Sequence, residues 1–172
     1  TFGSDSSTIS FVDGGGTGTA SIDLSDGAHL NVNTEVGGTG AGDISIAVDI
    51  KGGTDSSGDA AEDITIDAGS GAVTVAGIDT GINDVNIEGA TVTLTGNITT
   101  AGDSDDTNGD GVDGAVIITG AALIEPASGV TINTSSSDGS VTISSTVNSD
   151  ANKTLTISSG AGAVDFGGII GG

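Results

Sequence analysis

Short runs that alternate a branched apolar residue with a small polar one recur along this 172-residue chain, separated by glycine-rich stretches. Examples are TISFV (8–12), DITID (63–67) and KTLTIS (153–158). A period of two is typical of a β-strand with one buried face. No run shows an apolar period of 3.6 residues over the length of a helix, and the 32 glycines would destabilise helix interiors. The sequence therefore predicts an all-β fold.

The alternating runs place strands along the entire chain. Between them lie clusters of Gly, Asp, Ser and Asn, which adopt the backbone angles of tight turns readily. Strands are predicted over 8–12, 20–24, 29–33, 43–50, 63–67, 72–77, 84–88, 90–96, 115–120, 129–133, 140–144, 153–158 and 163–168.

An internal repeat divides the chain. ITIDAGSGAVTVAGIDTG (64–81) aligns without a gap with LTISSGAGAVDFGGIIGG (155–172), and LNVNT (30–34) matches VTINT (130–134). We interpret 1–81 and 82–172 as two diverged copies of one β-repeat within one continuous structural unit. The acidic segment 101–114 is a loop insert in the second copy only.

Charge excludes several function classes. The chain carries 24 acidic residues against Lys51 and Lys153, a net charge of −22. Nucleic acid binding is not expected, because no cations are present to replace the phosphate counterions. No apolar run approaches the length of about 20 residues that spans a membrane, so we expect no membrane insertion. The chain has no cysteine, which excludes disulfides and thiolate metal sites.

Three stretches carry a family resemblance: LTISSGAGAVDFGGIIGG, ATVTLTGNITT and DGAVIITGAALI. They resemble the β-strand-repeat regions of giant bacterial surface proteins, such as filamentous-haemagglutinin-like adhesins and autotransporter passengers. The resemblance covers nearly the whole chain and rests on repeated texture, without a catalytic signature. It implies a β-solenoid (β-helix), an extracellular or cell-surface location, and a role as a fibre or stalk.

The composition favours the same architecture. Stacked solenoid strands need only small β-branched core residues, whereas a β-sandwich of this length usually recruits several large aromatics. The chain has three Phe and no Trp or Tyr. A β-sandwich or jelly-roll subunit that polymerises by strand exchange is the alternative. No helix, charged strand or aromatic plug is recognisable as a cap at either end, so we expect the stack to pair with another copy or with neighbouring repeats of its own chain.

The stretch DTNGDGVD (106–113) carries the most specific chemical pattern. Its D-x-N-x-D-G start is shared by several calcium loops, where short acidic side chains on a tight turn converge on one point. The stretch departs from the helix–loop–helix calcium hand, which needs Glu at the twelfth position, where this chain has Ile117. The alternative interpretation is a solvated acidic turn. The predicted Ca²⁺ ligands are Asp106, Asn108, Asp110, Val112 through its carbonyl, Asp113, Asp103 and Asp105.

Other polar groups point to structural roles. The acidic residues of segment 55–67 favour a solvated face over a second cation site, and His29 is interpreted as a polar residue at a strand edge. An enzyme is not expected, because Arg is absent and sugar-binding aromatic platforms are missing. Sequons stand at Asn97, Asn133 and Asn152.

These observations predict a structural protein. We expect a repeat unit of an extracellular surface fibre, adhesin stalk or matrix filament that self-associates through β-strand stacking and is stabilised by Ca²⁺. The alternative is a surface-layer subunit or a strand-exchange pilus subunit, built from a folded domain.

Overall fold

The computed structural model describes residues 1–4, 7–14, 20–25, 27–35, 42–53, 62–79, 81–102, 114–124, 129–149 and 151–171. Within these ranges the protein is all-β and contains no helix, which confirms the all-β part of the predicted fold class. Accordingly, none of the described segments provides a helix of the length and hydrophobicity needed to cross a membrane.

Most strands are short, and most of their bounds follow the alternating runs of the sequence. In chain order they are β1 (Phe2–Gly3), β2 (Ile9–Phe11), β3 (Ser21–Asp23), β4 (Leu30–Asn33), β5 (Ile44–Ile46), β6 (Asp49–Lys51), β7 (Glu62–Asp67), β8 (Ala72–Val75), β9 (Ile82–Leu94), β10 (Ile98–Thr99), β11 (Val116–Ile124), β12 (Val130–Asn133), β13 (Val141–Ile143), β14 (Val147–Ser149), β15 (Leu155–Ser158) and β16 (Val164–Phe166).

The described strands pair in parallel and form three ladders. The first ladder contains β1, β4, β7, the first half of β9, the first half of β11, β13 and β16. The second contains β2, β5, β8, the second halves of β9 and β11, and β14. The third contains β3, β6, β10, β12 and β15, with Ile78 bridging Ile50 to Ile98. The chain visits the first, second and third ladders in that order and then returns to the first.

Residues in register form columns along each ladder. Alternate side chains of a strand point to opposite faces, so every second column of a ladder faces inward. In the first ladder one of these inward columns contains Val32, Ile66, Ile87, Ile118 and Ile143, all fully buried. The core is therefore built of stacked β-branched residues, the residue type that packs best on a pleated surface.

The strand predictions differ from the structure where the chain passes between ladders. DISIAVDI (43–50), predicted as one strand, forms β5 and β6 on different ladders. Conversely, 84–88 and 90–96 belong largely to one strand, β9, which bends across two ladders. The alternation of apolar and polar residues continues through such bends, so the two-residue period of the sequence does not show where a strand bends. The strands β1, β10 and β14 and the second half of β11 were not predicted.

A glycine at one bend shows why this residue type is frequent. Gly120 lies where the register of β11 shifts between the first and second ladders, with φ of +130°. A Cβ atom there would lie 1.9 Å from the carbonyl oxygen of Gly89 in the neighbouring strand. Stacked bends approach so closely that no larger residue fits without a backbone shift.

The two predicted copies are continuous in the ladders. β7 and β8, from segment 1–81, pair with β9, from segment 82–172. The aligned residues occupy different ladders, since Ile66 lies in the first ladder and Ile157 in the third. The division into two copies stays a prediction.

Candidate functional site

The predicted calcium ligands lie outside the described residues: Asp103, Asp105, Asp106, Asn108, Asp110, Val112 and Asp113. The residues that flank them are described. Thr100 is buried, and its Oγ1 donates a hydrogen bond to the carbonyl of Gly114 at 2.6 Å. The backbone N–H of Gly114 donates to Asn83 Oδ1 at 2.9 Å, and Asn83 is buried as well. The end of β10 and the start of β11 are therefore tied together by buried hydrogen bonds.

The acidic insert occupies a defined link in the chain. It connects β10 of the third ladder to β11 of the first. The acidic stretch that begins at Asp55 occupies the corresponding link from β6 to β7. A third link of this type, from Ile78 in the third ladder to β9 in the first, lies between these two links along the chain and is much shorter. Both insertions therefore belong to the same type of ladder-to-ladder link.

The described part of this second acidic stretch contains Glu62, Asp63 and Asp67. No group of three or more His, Asp or Glu side chains within the described ranges is arranged to hold a metal ion. Asp67 instead accepts hydrogen bonds from the Gly69 N–H at 2.9 Å and from Asn33 Nδ2 at 3.0 Å. Glu62 is fully buried, so the predicted solvated face is wrong at this residue.

A repeated contact gives other acidic residues a structural function. In each case the residue directly before the first buried residue of a strand supplies a side-chain oxygen. This oxygen accepts a hydrogen bond from a backbone N–H of the next strand in the same ladder. The donating residue is the one that pairs in register with the acceptor residue. The pairs are Asp43 Oδ1 with Ala72 N (2.9 Å), Asp49 Oδ1 with Gly77 N (3.1 Å), Asp63 Oδ1 with Asp84 N (3.2 Å), Asp84 Oδ1 with Ala115 N (2.7 Å) and Asn97 Oδ1 with Thr131 N (2.8 Å). These side chains satisfy backbone donors at the starts of strands.

The sequence analysis missed these capping side chains, although a signal for them is present. Each one is Asp or Asn followed directly by Ile or Val, as in DI at 43–44, 49–50 and 63–64. His29 occupies the same column one strand before Asp63. Its Nδ1 lies 3.0 Å from Asp63 Oδ2 and 3.3 Å from the Asp63 backbone N. His29 is thus a polar residue directly before the start of β4.

The two ends of the ladders are the most distinctive surfaces of the described chain. On the outer sides of β1, β2 and β16 no described strand pairs with the backbone. Six large apolar side chains are exposed in the described part, and five of them lie in or beside the outermost strands: Phe2, Val12, Val164, Ile169 and Ile170. The sixth, Ile117, lies on the side of the first ladder. An open strand edge bordered by apolar side chains is a template for further strand pairing.

All three aromatic residues of the chain stand at these ends. Phe2 and Phe11 lie in the outermost strands of the first and second ladders, with ring centroids 5.2 Å apart in an edge-to-face arrangement. Phe166 lies in the outermost strand at the opposite end of the first ladder. The sequence analysis did not predict that aromatic rings stand at both ends. A core residue in the middle of a ladder is covered by the residues above and below it in its column. At the end of a ladder one of these neighbours is missing, and the larger area of an aromatic ring covers the adjacent core residue.

Comparisons with protein-family models, with curated proteins and with solved structures found no match for this chain. The candidate site is therefore defined by geometry alone, as the pair of open ladder ends.

Proposed function

We propose that this chain is a β-solenoid segment that serves as a structural unit of an extracellular surface fibre, adhesin stalk or matrix filament. The observation that carries the proposal is the set of three parallel ladders visited in a constant order. In a solenoid each turn of the chain adds one strand to each ladder, and successive turns rise by about 4.8 Å, the spacing of paired strands.

The direction of strand pairing supports the solenoid over the alternative. β-Sandwiches and jelly rolls are built mainly from antiparallel strands joined by hairpins and Greek-key connections. All strand pairs within the described ranges are parallel, and sequential strands belong to different ladders. A surface-layer or pilus subunit based on a sandwich is therefore the weaker proposal.

The function we propose is mechanical. Hydrogen bonds between stacked strands run along the solenoid axis, so a pull along the axis is resisted by all three ladders together. The capping Asp and Asn side chains add hydrogen bonds in the same direction. The many acidic groups give the fibre a large negative charge, which keeps its sides soluble and apart. We propose a structural role and no catalytic one.

We propose in addition that Ca²⁺ binds the acidic insert. The D-x-N-x-D-G pattern at 106–111 supports this, as does the net charge of −22, which favours divalent cations. The buried hydrogen bonds of Thr100 and Asn83 to Gly114 support it as well, because a loop with anchored ends loses less entropy on binding an ion. Bound calcium would then stiffen the link between the third and first ladders.

Fibre diffraction tests the architecture. Aligned samples of a solenoid should give a strong meridional reflection at the strand spacing, about 4.8 Å. A sandwich-based filament would give instead a meridional repeat of the size of a whole domain, with the strand spacing off the meridian, and that outcome would overturn the solenoid.

Thermal unfolding with and without calcium tests the ion. We expect calcium to raise the unfolding midpoint of the natural chain, and not that of the Asp106→Ala/Asp110→Ala double variant. The control is a variant changed at two acidic residues outside the insert, Asp13→Ala/Asp23→Ala, which should keep the calcium response. An equal response in all three proteins would assign the effect to general charge screening.

A further inference from the structure

We propose that copies of this chain dock head to tail, with the β16 end of one copy on the β1 end of the next. The first and second ladders would then continue across the contact with unchanged register. This inference rests on the proposed function and specifies its partner, a second copy of the same chain, together with the contact surface.

The backbone at the β16 end is oriented for another strand. Val141 N donates to the Ala163 carbonyl at 2.8 Å, and Gly167 N donates to the Ile143 carbonyl at 2.8 Å. In a parallel pair, alternate residues direct both their N–H and their C=O to the same neighbour. The backbone groups of Val164 and Phe166 therefore face outward, where the described chain has no strand. Ile170 is placed similarly in the second ladder, because Gly171 N donates to the Val147 carbonyl at 2.9 Å.

The β1 end has the complementary orientation. Ser4 N donates to the Asn33 carbonyl at 3.0 Å, and Ile9 N donates to the Asp43 carbonyl at 3.0 Å. By the same alternation, the backbone groups of Gly3 and Ser10 face outward.

Continuing the ladder register pairs these outward groups. It places the Gly3 N–H opposite the Phe166 carbonyl of the next copy, just as Gly167 N–H meets the Ile143 carbonyl within one copy. It places the Ser10 N–H opposite the Ile170 carbonyl, as Gly171 N–H meets Val147. The two ends therefore match in hydrogen-bonding pattern as well as in strand direction.

The side chains match as well. Phe2 and Phe166 are the two ends of a single inward column of the first ladder. Docking would bring Phe166 of one copy onto the Phe2–Phe11 pair of the next, so that three rings would shield one another from water. Phe2 is 49% exposed and Ile170 59% exposed in the isolated chain, so both have apolar area left to bury.

The contact would use the first two ladders and would propagate. In the third ladder the last described strand is β15, one strand short of the level of β16 and Ile170. The contact joins two different surfaces, so it does not close on itself, and addition of copies would produce a filament with polarity. Because every copy carries a charge of −22, we expect association to strengthen as salt screens the repulsion.

Sedimentation of single substitutions tests the contact. Ile170→Lys places a charge in the docking surface and should raise the protein concentration needed for association at least about tenfold, which a loss of about 1.4 kcal/mol would produce. Ile117→Lys is the matched control, because Ile117 is also exposed but lies on the side of the ladder. It should associate as the natural chain does. If Ile117→Lys blocks association and Ile170→Lys does not, the contact is lateral and the proposal is wrong.

A mixing experiment tests the head-to-tail geometry. Ser10→Pro removes an outward N–H that no strand of its own copy uses, so it should block the β2 end and leave the fold intact. Ser10→Pro and Ile170→Lys copies should each remain monomeric alone. Mixed, they should form one-to-one dimers that grow no further, because each retains one good end. Failure of the mixture to dimerise would overturn the head-to-tail contact.

The absence of cysteine permits a direct check of register. Thr1 and Asp165 share an outward column, so docking would place their Cα atoms about 4.8 Å apart, within disulfide range. Thr1→Cys copies mixed with Asp165→Cys copies should cross-link under mild oxidation. Thr142→Cys, one strand further in, should not. A natural chain that gives solenoid diffraction but stays monomeric at high concentration and high salt would refute docking while leaving the proposed function in place.

Discussion

Ile66 and Ile157 hold equivalent places in the two aligned segments, ITID (64–67) and LTIS (155–158), yet their surroundings differ. Ile66 is fully buried, whereas Ile157 is only partly buried. β7 pairs with β4 on one side and β9 on the other, while β15 pairs in the described chain with β12 alone. Alternation therefore determines which side chains face inward, and the number of stacked neighbours determines how deeply they are buried.

The same comparison shows what the internal repeat encodes. Segment 64–81 begins on the first ladder, whereas the segment from residue 155 begins on the third. Val73 lies in the second ladder and its counterpart Val164 in the first. The repeated unit is thus a strand, a bend and a second strand, which occupies the first and second ladders in one segment and the third and first ladders in the other.

The largest difference in stability loss between the middle and the end of the ladders is expected for substitutions of glycine. Gly120→Ala should destabilise the protein by about 4 kcal/mol, since it combines an unfavourable φ with a Cβ placed 1.9 Å from a carbonyl oxygen. Gly171→Ala, also at positive φ but with open space around it, should cost roughly 1 kcal/mol. Urea unfolding measures both. Similar losses would show that the bends in the middle are not tightly stacked.

Core truncation should give the next largest contrast. Ile66→Ala should lower the free energy of unfolding by about 3 kcal/mol, because the cavity forms between strands on both sides. Ile157→Ala should lower it by about 1 kcal/mol, since its side chain buries less area from water. The comparison is to be made in dilute protein at low salt, where docking is weak. Equal losses would mean that β15 is covered in the free chain.

Removal of a capping side chain should lower the stability by a smaller amount. This loss is expected only where a further strand of the ladder supplies the backbone N–H that the side chain accepts. Asp84→Ala removes the acceptor of the Ala115 N–H and should cost about 1–2 kcal/mol, whereas Asp84→Asn should retain most of the stability because an amide oxygen accepts equally. Asn97 performs this function naturally. Ala163→Asp, directly before the outermost strand β16, should change stability by less than about 0.5 kcal/mol. A large loss in Asp84→Asn would assign the effect to charge rather than to the hydrogen bond.

Proteolysis gives the smallest effect, a difference in rate. Lys51 lies in β6, where its carbonyl accepts the Leu24 N–H at 2.8 Å and its strand has neighbours on both sides. Lys153 precedes β15, near the end of the stack. Because cleavage requires local opening, trypsin should cut first at Lys153 and at Lys51 only on global unfolding. Mass spectrometry of a time course identifies the order, and earlier cutting at Lys51 would contradict it.

Much of the fold could be predicted because alternation is a local property. TISFV, DITID and KTLTIS each specify a strand and its inward face without reference to the rest of the chain. The calcium pattern at 106–113 is local as well, and it stays a prediction because it lies outside the described residues. The open ends were expected too, but the aromatic groups that occupy them were not, since three scattered Phe do not reveal that they share the outermost positions.

The alternating pattern is sufficient to predict the all-β class, the positions of most strands and the inward face of each. Which strands pair could not be predicted, nor could the bend of DISIAVDI into two strands, the continuation of β9 through its bend or the burial of Glu62. The cause is distance along the chain. Between two neighbouring strands of one ladder, the chain passes through strands of the other two ladders and through links of variable length. Their pairing therefore depends on the conformations of all these links together, which no local sequence pattern specifies.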